Sequence, residues 1–280
     1  MKIPILYAGN VRVFDGMVIS LLSVVKHCRA PLDVWILTMD LRDIDPAYAP
    51  VTEAQRAYLE EICRAKNAES RVRLYDAEKH YRETLLHAPN QNTQYTPYTF
   101  LRLYADRIPD LPDRVIYLDT DTVAMGDVSE LLAVRMNGAE LAGVRDRYGY
   151  HFFGINYLNA GVLLLNLARI RETGLFAKCL DLCGHKKVFL PDQTALNRLA
   201  KKKKVLPRRF NEQKNIRKNT VIRHFSMTIR WIPFRTQNIK PWNVEGVRSV
   251  LRVTEIDDIL NDYLSRKPDF PSEISSEKEL

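Results

Sequence analysis

The chain has 280 residues, 46% hydrophobic and 27% charged, with 11 Gly, 14 Pro and a net charge of +8. That composition supports a sizeable core and excludes a collagen, a wholly disordered chain and a disulfide-stapled miniprotein. The purest apolar run, Val162–Leu165, is far shorter than the ~20 residues a bilayer span requires. The N-terminal MKIPILYAGN reads as a first strand, not a signal peptide. The expectation is a soluble, cytoplasmic protein.

Ile3–Tyr7 is a short apolar run that ends at Gly9-Asn10, as a buried strand feeding a loop would. Met17, Val18, Leu21, Leu22 and Val25 then recur at helical spacing. Leu32–Leu37 reads as a second strand. Thr52-Glu-Ala-Gln55 is a capping-box pattern that opens a helix to about Lys66. Val72–Tyr75 is a third strand, and this alternation predicts a mostly parallel sheet with helical crossovers, an α/β fold. Pro97–Arg107 suits a helix with Pro in its first turn. Strands follow at Asp113–Leu118, Leu141–Val144 and Gly161–Leu165, then a helix at Pro191–Ala200 and a short strand over Thr220–Arg223 ending at His224. We expect one catalytic domain over residues 1–242 and a small helical C-terminal appendage over 243–280, its tail frayed from Lys267.

Cys28, Cys63, Cys179 and Cys183 form no CxxC pair and read as reduced core residues. The positive charge concentrates between Arg198 and Lys218, where ten basic residues face Glu212 alone. Such a stretch is either a solvated loop and helix end or a surface for a polyanion. Lys201–Lys204 has no interleaved aromatic side chains to stack bases, so nucleic acid is not expected as a partner.

In an open parallel sheet, ligands bind beyond the carboxyl ends of the strands. Asn10, Asp119, Asp121, Asp146 and His224 all follow predicted strands. In extended backbone, residues two apart share a side, so Asp119 and Asp121 can meet one cation. A divalent ion removes their mutual repulsion, oxygen ligands favour Mg²⁺ or Mn²⁺, and His224 as a third ligand tilts the choice toward Mn²⁺. The competing reading is a turn with two solvated carboxylates.

The stretch RVIYLDTDTVAMGDVSELL resembles the Asp-x-Asp segment of retaining glycosyltransferases of sequence family 8, which includes glycogenin and bacterial lipopolysaccharide glucosyl- and galactosyltransferases. Arg102-Leu-Tyr-Ala, Tyr157–Asn166 with its Asn-Ala-Gly, Pro191-Asp-Gln, Leu206–Asn211 and His224-Phe225 match further family segments in the same order. The resemblance implies a GT-A fold, a UDP-sugar donor and Mn²⁺ bridging Asp119, Asp121, His224 and the diphosphate, with Thr120 between the aspartates. It implies that Arg102 reaches the nucleotide and that Ala8 and Asn10 lie beside it. It also implies that Asn159, Ala160, Gly161, Asp146, Asp192 and Gln193 hold the transferred sugar, the last three residues being the candidates for catalysis. The family's Lys-Pro-Trp follows its histidine closely, whereas here Lys240-Pro-Trp242 arrives late, so Arg230 or Lys240 takes the diphosphate-binding place.

The function read from these motifs is retaining transfer of glucose or galactose from a UDP-sugar to an acceptor hydroxyl of a saccharide or glycoconjugate, in bacterial surface glycan synthesis. Retention through a covalent intermediate would use Asp192 or Asp146; same-face attack is the other route. Tyr148, Tyr150, His151, Phe152 and Phe153 form an aromatic group that would stack a sugar or pack over the sheet. The basic stretch with Trp231, Trp242, Arg248 and Arg252 could place the protein against an anionic inner membrane surface. A metal-dependent nucleotidyltransferase and a non-catalytic carbohydrate- or polyanion-binding protein remain as alternatives.

Overall fold

The computed structural model describes residues 2–90, 96–231, 234–267 and Phe270. Its centre is a seven-stranded sheet. The strands, in chain order, are β1 (Ile3–Ala8), β2 (Leu32–Thr38), β3 (Arg71–Asp76), β4 (Arg114–Leu118), β6 (Leu141–Arg145), β7 (Leu158–Asn166) and β8 (Lys203–Val205), with β5 (Thr122–Ala124) outside the sheet. Their spatial order is β3-β2-β1-β4-β7-β6-β8. β7 alone runs against its neighbours: it pairs antiparallel with β4 and β6, and the other sheet ladders are parallel. The mostly parallel α/β sheet expected from the sequence is therefore present.

Alternation along each strand supplies both faces of the sheet. In β1, Ile3, Ile5 and Tyr7 join a core shared with the helix Phe14–His27, and Leu6 joins the opposite core with the 97–107 and 175–185 helices. The C-terminal helix Asp257–Arg266 buries Ile259, Leu260 and Tyr263 in the first of these cores. Phe270 packs edge-on against Phe14 at 5.5 Å and Tyr58 at 5.8 Å between ring centres. Residues 268–269 and 271–280, expected to fray, lie outside the described residues.

Several elements differ from expectation. Pro97–Arg107 is a helix with Pro at its start, as expected, though of the tighter 3-10 kind. The Asn-Ala-Gly segment belongs to β7, which starts at Leu158 rather than Gly161, because the amides of Leu158 and Ala160 are claimed by side chains of the helix that follows Leu190. Part of the lysine run is itself a strand: Lys203–Val205 is the edge strand β8. Edge lysines protect an open ladder from pairing with another chain, so a charge run concealed a strand. A ninth strand (β9, Ile222–His224) pairs with β5, and β10 (Thr228–Trp231) with β11 (Phe234–Gln237) forms a hairpin inserted between His224 and Lys240. The Thr52–Gln55 capping box is present with both of its hydrogen bonds, and all four cysteines are free and buried. No described helix is long and apolar enough to cross a membrane.

Gly16, on the Phe14–His27 helix, is the point where this layer reaches the Asp119–Asp121 turn. A Cβ there would lie 2.4 Å from the Trp242 ring and 2.7 Å from the Thr120 carbonyl oxygen. Gly16→Ala is expected to lower stability by about 1–3 kcal/mol through overpacking, read as a lower urea midpoint at unchanged slope. An unaltered midpoint would show that Trp242 moves aside freely.

Candidate active site

The β5–β9 ladder sets Thr122 opposite His224, and the Phe225 amide donates to the Asp121 carbonyl at 2.9 Å. Asp119 and Asp121 stand on the turn between β4 and β5, so this ladder brings the histidine to both carboxylates. One ligand atom from each of the three residues lies within 4.8 Å of the others. Nε2 of His224 is 3.1 Å from Oδ1 of Asp121 and 3.9 Å from Oδ2 of Asp119.

Three observations test whether these residues suit a divalent cation. Oδ1 of Asp121 is buried and has no hydrogen-bond partner of sound geometry among the described residues, a costly state unless something positive occupies that place. A Cβ on Gly161 would come within 2.2 Å of His224 Cε1 and 2.8 Å of Asp119 Oδ2, so the missing side chain is what lets imidazole and carboxylate converge. Two carboxylates with one imidazole also form an oxygen-rich donor set that suits Mn²⁺ or Mg²⁺. The residues fit.

The histidine is oriented by a chain of side-chain amides. Asn211 donates through Nδ2 to Asn159 Oδ1 at 2.9 Å, which turns its own Oδ1 toward His224 Nδ1 at 3.2 Å. A proton on Nδ1 satisfies that contact and leaves the Nε2 lone pair facing the aspartates. Asn159 Oδ1 also accepts from the Gly161 amide at 3.0 Å, and Asn159 Nδ2 donates to Asp146 Oδ2 at 2.9 Å. Asp146 receives three more bonds, from the Tyr148 and Gly149 amides and from Gln193 Nε2. Gln193 Oε1 in turn accepts from the Ala160 amide at 2.8 Å, and Asn197 clamps Leu158 through both its amide and its carbonyl. Thus the helix Pro191–Leu199 fixes the start of β7.

Arg102 is the buried cation of this site. Its guanidinium donates to Ala160 O at 2.6 Å and Asp119 Oδ1 at 3.0 Å, lies 3.1 Å from Asp192 Oδ2 and stacks on Tyr117 at 4.3 Å. Tyr117 donates to the same Asp119 oxygen at 2.8 Å. Burial raises the Asp192 carboxyl above its usual range, with Arg102 pulling the other way. Burial also opposes charge on Asp121, but Lys240 and His224 outweigh it and hold that carboxyl far below the usual range. Lys240 Nζ sits 2.5 Å from Asp121 Oδ2, so the chain returns to the site after the hairpin insertion. Leu190, immediately before Pro191-Asp192, has φ of +49°, an uncommon left-handed conformation for a non-glycine residue.

Asp119, Asp121, His224, Lys240, Arg102, Asp192, Gln193, Asn159, Ala160, Gly161 and Asp146 are therefore connected. Thr120 is buried on the turn. Ala8 closes β1, and Asn10 donates to the Ala47 carbonyl at 3.2 Å. Arg230 lies on β10, and its side chain, like that of Tyr150, is outside the described residues. Sequence reasoning did not single out Asn211, Tyr117 or Asn197. Nothing in the local spacing marks an asparagine that acts on another residue's histidine. The basic stretch is largely engaged: Lys202, Lys203 and Lys204 donate to main-chain carbonyls, Arg208 pairs with Glu212 and Arg209 with Glu130.

Comparison with known proteins identifies the family and the fold. A sequence model described as glycosyl transferase family 8 matches residues 4–246. The chain is 34% identical over 126 residues to a lipopolysaccharide 1,2-glucosyltransferase of Escherichia coli (strain K12), covering 40% of this chain and 37% of that protein. It is 31% identical over 192 residues to glycosyltransferase GlyE of Streptococcus pneumoniae, covering 62% of this chain and 46% of GlyE. The chain thus spans less than half the length of these relatives. Among solved structures, the galactosyltransferase LgtC with donor and acceptor sugar analogues superposes with a TM-score of 0.64 at 16% identity, covering 93% of this chain and 96% of LgtC. The fold shared with LgtC is the GT-A fold.

Asn211→Ala is expected to weaken Mn²⁺ binding by about 10–100-fold, the usual effect of removing a group that orients a ligating histidine. Titration calorimetry on the folded variant would check it; an unchanged affinity would leave the histidine oriented by something else.

Proposed function

This chain belongs to glycosyl transferase family 8, and from that membership and the converging Asp119, Asp121 and His224 we propose that it transfers a hexose, glucose or galactose, from a UDP-sugar to a hydroxyl of a saccharide acceptor with retention, in bacterial surface glycan synthesis. The observation that carries the proposal is the orphaned Asp121 oxygen beside His224. Asp119, Asp121 and His224 would hold a divalent ion, Mn²⁺ by preference and Mg²⁺ otherwise. Such an ion supplies Lewis-acid stabilisation of negative charge on a departing diphosphate.

The remaining roles follow from the chain's own groups. Lys240 places an ammonium next to Asp121, at the edge of the ion site. It is the better candidate for a diphosphate contact, since it already reaches the cluster. Thr120 lies buried in the turn between the two aspartates. Arg102 keeps Asp119 aimed and its positive charge fixed, so that a leaving anion meets preorganised charge. The hexose would sit against Asn159, the Ala160–Gly161 backbone, Asp192 and Gln193. Asp146 has both carboxylate oxygens occupied by four hydrogen bonds, which suits a positioning residue better than a nucleophile. Asp192, held beside Arg102 and buried, is the remaining carboxylate that could face the sugar.

With Mn²⁺ and either UDP-glucose or UDP-galactose, slow UDP release without acceptor is expected from one donor. Asp121→Ala should reduce it by at least about 100-fold. Absence of Mn²⁺-dependent UDP binding in the wild-type protein would overturn the reading.

A further inference from the structure

A cleft of about 790 Å³ opens beside Asp146, on the side of β6 away from β4. Four cationic side chains line it, Arg145, Arg147, Arg208 and Lys214, against one carboxylate, Asp146, which is committed inward. Arg208 is paired with Glu212. Arg145, Arg147 and Lys214 form no ion pair with a carboxylate among the described residues: the Arg145 Nε donates to the Ile155 carbonyl, and Arg147 stacks on Tyr148.

The two loops that carry these charges are locked together. Gln213 is buried, accepts from the Arg147 amide at 2.9 Å and donates to the Arg145 carbonyl at 3.0 Å. The cations on 145–147 and on 214 therefore face one space by construction. Behind them the buried Arg223 guanidinium is pushed down to about 10, chiefly by burial, with Arg147 and Arg208 adding to the effect against Glu212 and Asp121. The exposed ring of Phe152 lines the same cleft, and an aromatic face is suited to the apolar side of a sugar. Tyr148, on the cleft wall, accepts from the Ile229 amide at 2.8 Å and so ties in the β10–β11 hairpin.

We propose that this cleft receives the acceptor and that the acceptor is an anionic saccharide, carrying a phosphate or carboxylate that Arg145, Arg147 and Lys214 recognise while Phe152 takes the ring face. The assignment of the cleft to an acceptor rests on the transferase reading; the preference for an anion rests on the cleft alone. Asp146 links the two, since it borders the cleft and holds Asn159 and Gln193.

The test titrates wild-type protein with glucose 6-phosphate, methyl glucuronide and methyl glucoside, each with and without UDP and Mn²⁺. At low salt both anionic sugars should bind at least about 10-fold more tightly than the neutral one, and salt should weaken them. The phosphate and uronate arms show which anion is preferred. Arg147→Ala/Lys214→Ala should abolish the preference, and the exposed single variant Lys214→Glu should reduce it with the unfolding midpoint unchanged. Equal binding of all three sugars would overturn the proposal. So would displacement of the anionic sugars by UDP, which would assign these cations to the donor's diphosphate. Salt-sensitive binding to vesicles of anionic lipid, lost in Lys214→Glu while the sugars show no preference, would assign them to a membrane surface instead. UDP binding with Mn²⁺ in the wild-type protein is read separately, so failure of the donor reading and failure of the acceptor reading give different results.

Discussion

A guanidinium buried against the central strands β4 and β7 needs opposite charge around it, and the site is arranged around that requirement. Arg102 is held by Asp119, Asp192 and the Ala160 carbonyl, and stacked on Tyr117. Each partner belongs to a different element: the turn after β4, the helix after Leu190, β7 and β4 itself. Leaving one member of such a set unpaired typically costs about 3–5 kcal/mol, so these four elements keep their relative positions only together. The Asp-x-Asp turn is therefore positioned from behind, by a charge paired to Asp119 and to groups outside the turn.

The reversal of β7 makes this convergence possible. Were it parallel to its neighbours, its Asn-Ala-Gly segment would lie at the opposite end of the sheet from Asp119. Running antiparallel, it places Gly161 beside the end of β4, where the Asp119 amide donates to the Gly161 carbonyl at 2.7 Å. The small β5–β9 ladder then adds His224 from the other side. Two strand pairings thus bring His224 to Asp119 and Asp121, more than a hundred residues earlier in the chain.

Much of this was legible in the sequence. The apolar runs announced β1, β2 and β4, the capping box announced its helix, and Asp-x-Asp with a later histidine announced the cluster. What escaped was whatever depends on tertiary partners. The Asn211 amide matters only because His224 is opposite it, and β8 was hidden because two lysines on an edge strand, at the end of a four-lysine run, look like a solvated run. The bare Cα of Gly161 has a tertiary cause as well, since the space its Cβ would fill is taken by His224 and Asp119. The β10–β11 hairpin explains why Lys240 comes late: the ten residues from Thr228 to Gln237 are inserted there, and the chain then returns to Asp121.

That hairpin has a consequence for how such a protein can diversify. Its two strands pair with each other and not with the seven-stranded sheet, while the residues on either side, His224 and Lys240, are both pinned to Asp121. The segment is a module with fixed ends. Its length and its side chains can drift, or be exchanged for a different loop, while the two anchors keep their places. Because Tyr148 links it to the wall of the basic cleft, variation there would reshape that cleft and leave the Asp119–Asp121 turn unchanged.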